Sequence, residues 1–500
     1  MLARHTRTLL RLALGAIVLA VLTHTRADPD LFGHVRFGQD VLATGGVHTA
    51  DPYSFASDRA WVNHEWLAEA AMYVAYAWGG NGGLVALKLA LLAAMVAAVL
   101  VILRRRAVPE SSIDLLLGLL IVTTFPQTNH VRPQLFSLAL FAWLLATLVA
   151  SRWKPYLQLW TIPLLAIWVD VHGGWLVGAG TLGLWTLAGL ARRESIGNAI
   201  FSIAVSAAAL LITLFNPYGW KMWTFLQATV GFGRADIVDW QPVFVLGPAY
   251  ALLWTLTALA ATVGIWSALR ERTDGRSPDW QSIAVVVFFA VASLRVSRLQ
   301  SFFTIATVML IGPGIAAAWH RASSRRVARV PSRLAAGFVA AIALAAIVGG
   351  VTVSAGNLRC IRMEDQMFPE PDVARLVAER NLRGRMLTWF DWGEYAIWYF
   401  SPDVTVSMDG RRETVYSDEA INRHLRFYTS PDDRQAVLDQ LRPDYIWVPS
   451  RLEVTSKLVA DGWQPLFAGP ISTVLARAGT DAQATKRASR PGAARCFPGP

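Results

Sequence analysis

The stretch GGLVALKLALLAAMVAAVLVIL, residues 82–103, is apolar except for Lys88 and is followed at once by Arg104, Arg105 and Arg106. A helix needs about 20 consecutive apolar residues to span a bilayer, so this stretch predicts a transmembrane helix whose lysine extends toward the interface. The whole chain has the same character, since 54% of its 500 residues are hydrophobic and 16% are charged. We therefore predict an integral membrane protein, which excludes a soluble, a disordered and a disulfide-scaffold protein.

Similar apolar runs continue along the chain to about residue 353, and together they predict about eleven transmembrane helices. The runs are 8–24, 82–103, 112–126, 132–151, 156–171, 173–190, 197–215, 245–270, 280–294, 299–319 and 334–353. A cleaved signal peptide is the alternative for the first run, because it has a basic start and a short apolar core. We expect that run to be retained as a membrane span.

Basic residues mark every second loop between these runs, as the positive-inside rule requires of cytoplasmic loops. They are Arg4, Arg7 and Arg11, then Arg104 to Arg106, Arg152 with Lys154, Arg192 with Arg193, Arg270 with Arg272 and Arg276, and finally Arg321, Arg325, Arg326, Arg329 and Arg333. This pattern predicts a cytoplasmic N-terminus and a periplasmic C-terminus in a bacterial inner membrane. It also explains the net charge of +11 without a nucleic-acid partner, which we exclude.

The unusual polar clusters all fall in the loops that this topology places outside the cytoplasm. They are Asp28-Pro29-Asp30, His34, Arg36, Asp51-Pro52 and His64-Glu65-Trp66 in the first outer loop (25–81), then Asn129, His130 and Arg132, Asp170 and His172, Asn216, Asp236 with Asp239, and Arg295 with Arg298. Ionisable groups at a membrane boundary are costly to desolvate, so their collection on one face predicts a polar chamber. Simple solvation of loop residues is the alternative reading.

The first outer loop resembles that of a known superfamily in Asp28-Pro29-Asp30 with His34 and Arg36 after it, and three motifs resemble a narrower group more closely. Asp30 precedes His34-Val35-Arg36, and the loop continues with Asp51-Pro52-Tyr53-Ser54 and His64-Glu65-Trp66-Leu67. With one preceding span and a multispan bundle after it, the chain resembles the GT-C glycosyltransferases, and more closely a group of bacterial membrane proteins without a known substrate. The chain departs from the oligosaccharyltransferase pattern, because Trp389-Phe390-Asp391-Trp392 does not match the expected Trp-Trp-Asp type motif.

The resemblance implies transfer of a sugar from a polyprenyl-phosphate-linked donor to a periplasmic glycan, lipid or protein. Such a reaction needs a base for the acceptor hydroxyl, and the candidates are Asp28, Asp30 and Glu65. Asp28 and Asp30 could instead hold a divalent cation such as Mg²⁺ or Mn²⁺, or form a plain polar turn. Accessory polar residues are His34, Arg36, His64, His130, Asp170 and His172, and no spacing among the histidines indicates a zinc site.

Three arginines on the outer side suit the phosphate of the donor, since a guanidinium presents a planar fork of donors to phosphate oxygens. They are Arg132, Arg295 and Arg298. Arg295 and Arg298 are three residues apart, so a continuous helix would place them on one face. Anchoring of span ends by charge is the alternative, although the insertion rule does not require arginine on the outer side.

From about residue 354 to 478, short helical and strand patterns predict a small periplasmic α/β domain. The predicted helices are 373–382 and 434–441, and the predicted strands are 386–390, 404–408 and 445–448. Residues 479–500 lack periodicity and predict a disordered tail. Because Cys496 lies in that tail, we do not expect it to pair with Cys360.

The sequence thus divides into a membrane module (1–353) that includes the first outer loop, the periplasmic domain and the tail. Interfacial helices are predicted near residues 31–42 and 65–78 of the loop. Two other functions stay open: a non-catalytic membrane subunit of envelope polysaccharide assembly, and a transporter or flippase for a lipid-linked substrate. A transporter would favour an internal repeat and charges at mid-membrane depth, and the sequence shows neither.

Overall fold

The computed structural model describes residues 2–190, 195–230, 237–270, 279–323, 333–364, 367–478 and 495–499. Several predicted loop residues therefore lie outside the described residues: Arg192, Arg193, Asp236, Arg272, Arg276, Arg325, Arg326 and Arg329, together with 479–494 of the tail.

In chain order, the helices α1 to α19 are Leu2–Thr23, Asp30–Thr44, Trp66–Arg105, Glu110–Thr128, Gln134–Ser151, Thr161–Val171, Trp175–Leu190, Ile196–Leu211, Trp220–Val230, Pro248–Arg270, Trp280–Arg295, Gln300–Ala306, Gly312–Ser323, Arg333–Asn357, Pro371–Glu379, Gly393–Phe400, Asp418–Thr429, Arg434–Leu441 and Glu453–Ala460. The strands β1 to β7 are Arg362–Met363, Gly384–Thr388, Val404–Val406, Tyr445–Pro449, Gln464–Ala468, Ser472–Ala476 and Arg495–Cys496.

Among the described residues, 7 helices are long and apolar enough to cross a membrane: Trp66–Arg105, Glu110–Thr128, Gln134–Ser151, Ile196–Leu214, Pro248–Arg270, Ser297–Ser323 and Gly337–Asn357. Shorter apolar helices cover Thr8–Thr23, Pro155–Val171, Trp175–Leu190 and Trp280–Arg295. The predicted class, a helical polytopic membrane protein with a small α/β region, is confirmed. The number of eleven spans stays a prediction, because four of the predicted runs form helices of 10–17 residues.

The chain forms two compact units. The helical unit contains Met1–His24, Ala86–Asn129 and Pro133–Asn357, and the mixed unit contains Thr25–Val85, His130–Arg132 and Leu358–Pro500. The structure thus groups the first outer loop with the C-terminal residues rather than with the membrane helices. The helix α3 has residues in both units and is interrupted at Gly80, which has a φ of 53°.

Small residues allow helices of the helical unit to approach closely. The helix α1 packs along α14, where a side chain on Gly350 would overlap the backbone of Ala16. The Asn357 amide of α14 donates a 3.2 Å hydrogen bond to the carbonyl of Ala20 in α1. Contacts of this kind between apolar helices are typical of membrane proteins, where close van der Waals packing stabilises helix association.

A five-stranded sheet of order β3-β2-β4-β6-β5 forms the centre of the mixed unit. The strand β2 is parallel to β3 and β4, and β6 is antiparallel to β4 and β5. The first loop extends this sheet, because the N–H of Phe55 donates to the carbonyl of Val406 and the N–H of Val406 donates to Tyr53. These hydrogen bonds place the Asp51-Pro52-Tyr53-Ser54 motif at the β3 edge.

The helix α2 confirms the predicted helix at 31–42 but not its interfacial packing. Leu31, Phe32 and Val35 are fully buried, and α2 packs against α16 within the mixed unit. Its apolar residues are therefore covered by protein rather than available to lipid. The second predicted loop helix, 65–78, corresponds to the beginning of α3.

The C-terminal tail corrects two expectations. Cys360 and Cys496 form a disulfide, and β7 pairs antiparallel with β1. Phe497 is 1% exposed and stacks edge-on against Phe32 with ring centroids 4.8 Å apart. The prediction of disorder is therefore wrong for 495–499. It was based on the lack of apolar periodicity in this segment, whereas the segment is ordered by one disulfide bond and one buried aromatic ring.

Candidate active site

Asp28 lies between α1 and α2 and is held by two basic residues of a distant loop. Arg26 pairs with His130 in a short parallel bridge, which brings 130–132 beside the first-loop acids. The Arg132 Nε donates to Asp28 Oδ2, and His130 Nδ1 lies 3.8 Å from the same oxygen. Asp28 is 1% exposed, and its burial opposes ionisation, but Arg132 and His130 together outweigh burial and lower the pKa of Asp28. Asp28 is thus a buried, ionised carboxylate.

Asp30, the first residue of α2, has a different environment. Its side chain is 38% exposed, and Arg132 Nη2 lies 3.9 Å from Asp30 Oδ2. Desolvation by the surrounding protein, followed by the charge of Asp28, raises the pKa of Asp30 to about 6. This carboxyl group is accessible and titrates close to neutrality, which are the two properties that a general base requires.

His34 of α2 lies between two glutamates at the beginning of α3. Its Nδ1 is 3.1 Å from Glu69 Oε1 and 3.9 Å from Glu65 Oε2. Burial alone would lower the pKa of His34, but the hydrogen bond to Glu69 and the charge of Glu65 raise it to about 9. The imidazole is therefore cationic at neutral pH. Asn63 also donates to Glu69, at 2.6 Å, and His64 Nε2 lies 3.5 Å from Glu65.

The same three side chains, His34, Glu65 and Glu69, offer ligand atoms within 4.8 Å of one another, close enough to hold a metal ion. Within the described part of the chain, this is the group with metal-binding geometry, and it includes neither Asp28 nor Asp30. The predicted cation at Asp28 and Asp30 stays a prediction. A cation bound to Asp28 and Asp30 would lie next to the Arg132 guanidinium. The repulsion between these two positive charges would oppose binding of the cation.

Arg411 joins two acidic motifs that are far apart in sequence. Its guanidinium donates to both carboxylate oxygens of Asp51, at 2.7 and 3.0 Å, and to both oxygens of Asp409, at 2.8 Å each. Arg411 outweighs burial and lowers the pKa of Asp409, which also accepts a 2.8 Å hydrogen bond from the hydroxyl of Tyr416. Three aromatic rings surround the guanidinium: Phe37, Tyr53 and Trp61. This arrangement fixes the first loop to the Asp409-Gly410-Arg411-Arg412 turn.

Glu394, in α16, lies beside Asp30 and was missed by sequence reasoning. Its side chain is buried, and Glu394 Oε2 accepts a 3.1 Å hydrogen bond from the backbone N–H of Gly33. A side chain on Gly410 would overlap both Glu394 and Asp30, which shows that the two carboxyl groups lie close to each other. The surrounding sequence carries no signal of this, because the contact depends on two glycines that are distant along the chain.

The structure therefore brings together Asp28, Asp30, His130 and Arg132, with His34, His64 and Glu65 nearby. Arg36 points elsewhere along α2 and pairs with Asp40, at 3.3 Å.

Four predicted site residues belong to the helical unit. Arg295 is exposed and is the last residue of α11, and Arg298 donates a 3.3 Å hydrogen bond to Gln134. The prediction that Arg295 and Arg298 share a helix face is wrong, because Val296 is extended (φ −133°, ψ 101°) and ends the helix between them. Their role at a donor phosphate stays a prediction.

His172 of the helical unit is buried, and its Nδ1 accepts a 2.9 Å hydrogen bond from the N–H of Gly174. The hydroxyl of Ser137 lies 2.7 Å from the same nitrogen, and the Trp168 indole donates to that hydroxyl. His172 Nδ1 thus lies between the N–H of Gly174 and the hydroxyl of Ser137 in α5. Asp170 is half-buried in the last turn of α6.

Solved structures with the same fold include the archaeal oligosaccharyltransferase AglB from Archaeoglobus fulgidus, in complex with an inhibitory peptide and a dolichol-phosphate. It is 12% identical, with a TM-score of 0.59 over 88% of this chain and 69% of that chain. ArnT from Cupriavidus metallidurans bound to undecaprenyl phosphate is 14% identical, with a TM-score of 0.53 over 96% of this chain and 99% of that chain. No family model and no curated protein matches the sequence. Both neighbours are GT-C proteins, so the predicted GT-C-type fold is confirmed.

Proposed function

We propose that the protein is a membrane glycosyltransferase that transfers a sugar from a polyprenyl-phosphate donor to a glycan, lipid or protein acceptor outside the cytoplasm. The observation that carries this proposal is the grouping of Asp28 and Asp30 around Arg132, which combines a base with a cation in one place. The fold supports it, since one neighbour holds a dolichol-phosphate and the other undecaprenyl phosphate.

Asp30 is the base in this proposal, because it is the more exposed of the two first-loop acids and its pKa is about 6. Its carboxylate takes the proton of the acceptor hydroxyl while the acceptor oxygen forms a bond to the anomeric carbon of the sugar. The bond between that carbon and the phosphate oxygen breaks, and its electron pair leaves with the polyprenyl phosphate. Glu65 is less suited to this step, since it already faces the cationic His34.

Arg132 supplies positive charge for the departing phosphate, and Asp28 holds its guanidinium in place. A cation that is already held in place stabilises the negative charge of the transition state better than a cation that must first move into position. His34 adds a second positive charge near Asp30, because its imidazole is protonated at neutral pH.

We place the mixed unit in the periplasm of a bacterium with the N-terminus in the cytoplasm. The basic loops of the sequence support this orientation through the positive-inside rule. The disulfide between Cys360 and Cys496 supports it independently, because disulfides persist in oxidising compartments and are rare in the cytosol.

The test compares Asp30→Asn, Asp28→Asn and Asp40→Asn in the full chain, in membranes supplied with radiolabelled undecaprenyl-phosphate-linked sugars. Asp40 is the matched control, since it lies in the same helix but pairs with Arg36. Asp30→Asn should reduce transfer by about a hundredfold or more, the scale of a lost general base. Asp40→Asn should transfer at the wild-type rate. Equal transfer by all three variants would refute the assignment of the base and favour a non-catalytic assembly subunit.

A further inference from the structure

His34, Glu65 and Glu69 meet where the helix α2 passes the beginning of α3. The two elements touch at Gly38, because a side chain on Gly38 would overlap the backbone carbonyl of Glu69. The N–H of Glu69 donates to the carbonyl of Glu65 at 3.0 Å, so the two glutamates are one helical turn apart and lie on one face. The backbone therefore places two carboxylates side by side, opposite the imidazole of α2.

Each glutamate has one oxygen beside an outer neighbour and the other oxygen directed at His34. The Asn63 amide donates to Glu69 Oε2 at 2.6 Å, while Glu69 Oε1 lies 3.1 Å from His34 Nδ1. His64 Nε2 lies 3.5 Å from Glu65 Oε1, while Glu65 Oε2 lies 3.9 Å from His34 Nδ1. Asn63 and His64 thus have the positions of the outer partners that orient ligands in metal sites.

The distances between the three ligand atoms suit one small divalent ion. A six-coordinate ion with bonds of about 2.1 Å holds adjacent ligand atoms about 3.0 Å apart and opposite ones about 4.2 Å apart. The two distances from His34 Nδ1 lie between these limits, and all three ligand atoms lie within 4.8 Å of one another. The side chains of His34, Glu65 and Glu69 are 12%, 16% and 5% exposed, so the cluster is enclosed but not sealed.

The surrounding charges favour a cation at this cluster more than at Asp28 and Asp30. The charged groups that act on His34 are Glu69, Glu65 and Asp30, all of which are acids. Arg132, by contrast, lies against Asp28. A divalent ion held by two carboxylates and a neutral imidazole gives a cluster without net charge. Burial costs less for such a cluster than for two carboxylates with an excess of negative charge.

We propose that His34, Glu65 and Glu69 bind a divalent first-row transition-metal ion. Carboxylates suit Mn²⁺ among these ions, and an imidazole nitrogen is a common ligand of transition metals. The ion takes the place of the proton on His34, so a positive charge remains near Asp30. Three protein ligands leave other coordination positions for water or for an oxygen of a substrate. The inference goes beyond the proposed function, because binding of the ion does not depend on which acid is the base.

The experiment titrates Mn²⁺ into the purified, metal-free full chain in nanodiscs of zwitterionic lipid, and follows the electron paramagnetic resonance signal of free Mn²⁺. The wild-type protein should bind one ion. Glu69→Gln should raise the Kd by about a hundredfold or more, because the loss of an outer partner alone costs about 10–100-fold. Glu370→Gln is the matched control and should bind as the wild type does. Glu370 is also buried in the mixed unit, but it accepts hydrogen bonds from the N–H groups of Ile471 and Ser472.

A second measurement uses the wild-type protein and so does not depend on the folding of a variant. The electron spin echo of the bound Mn²⁺ should show coupling to one ligand nitrogen, that of His34. No binding, no nitrogen coupling, or a Kd that Glu69→Gln leaves unchanged would overturn the inference. Binding that only Asp30→Asn abolishes would also overturn it and would place the ion at Asp28 and Asp30. Neither signal requires transfer, so a protein that binds Mn²⁺ as expected but transfers no sugar would count against the proposed function alone.

Discussion

Replacing Arg411 by methionine should destabilise the mixed unit strongly, although Arg411 is not a member of the proposed reaction site. The side chains of Arg411, Asp51 and Asp409 are 5%, 1% and 0% exposed. In the Arg411→Met variant both carboxylates would lose their cation while remaining buried. Breaking a buried ion pair by removing one partner costs about 3–5 kcal/mol, because an uncompensated charge is left in a medium that solvates it poorly.

The structure suggests the upper part of that range. Arg411 serves two carboxylates rather than one, and it also lies over the rings of Trp61, Phe37 and Tyr53 at 4.7 to 5.2 Å. A desolvated cation over an aromatic ring contributes about 2 kcal/mol. We therefore expect a loss of about 5 kcal/mol in the free energy of opening.

Hydrogen exchange with mass spectrometry on the full chain measures this free energy of opening for individual segments. Peptides that cover 49–62 and 404–416 should lose protection together, because one guanidinium joins segments 360 residues apart. Arg383→Met is the control, since Arg383 pairs with Asp403 at 3.4 Å while both side chains are mostly exposed, 75% and 58%. Such a surface pair contributes about 0–1 kcal/mol.

Equal exposure of these peptides in Arg411→Met and Arg383→Met would contradict the expected loss of stability. A further variant separates charge from packing. If the cost comes from uncompensated carboxylates, then adding Asp51→Asn and Asp409→Asn to Arg411→Met should restore part of the protection, even though more native groups are removed.

Two further results are expected. The fall of the transfer rate on the acid side should report the ionisation of Asp30, whose pKa is about 6. The ionised fraction of Asp30, and with it kcat/KM, should fall about tenfold between about pH 7 and about pH 5. A kcat/KM that stays constant across that interval would exclude Asp30 as the base. Cys360→Ser and Cys496→Ser should each lower the free energy of unfolding by about 2–5 kcal/mol, because the bond closes a loop with a sequence separation of 136. Identical unfolding of wild-type and serine variants without reductant would show that the bond does not form.

The helical part of the fold could be predicted from the sequence because apolar length is a local property. The predicted runs at 112–126 and 132–151 correspond to α4 and α5 within a few residues. The strands β5 and β6 were missed because β5 contains Pro465, which is unusual within a strand, and because β6 begins with the small polar residues Ser472 and Thr473. The disulfide was missed because a tail of small and basic residues gave no sign that its last residues return to β1.

The candidate site could be predicted only in part, for a similar reason. The sequence named Asp28, Asp30 and Arg132 separately, as possible bases and as a possible phosphate ligand, and the structure places them together. It gave no indication that Glu394 would join them, since Glu394 is a single acid in a mostly apolar helix, Gly393–Phe400, that the sequence analysis did not predict. Pairings over more than 350 residues depend on the tertiary fold, which local patterns do not encode.

The acids of the mixed unit differ in ionisation because each reaches a different cation. Asp28 contacts Arg132, and Asp409 contacts Arg411, so both remain ionised despite complete burial. Asp30 reaches Arg132 only at 3.9 Å and titrates near neutrality. Glu394 accepts a hydrogen bond from a backbone N–H, and burial followed by the charge of Asp30 raises its pKa well above its ordinary value. When different environments give similar groups different pKa values, one site can contain both permanently ionised carboxylates and a carboxylate that titrates as a base. It follows that the arginines, rather than the acids alone, determine which carboxylate is available for proton transfer.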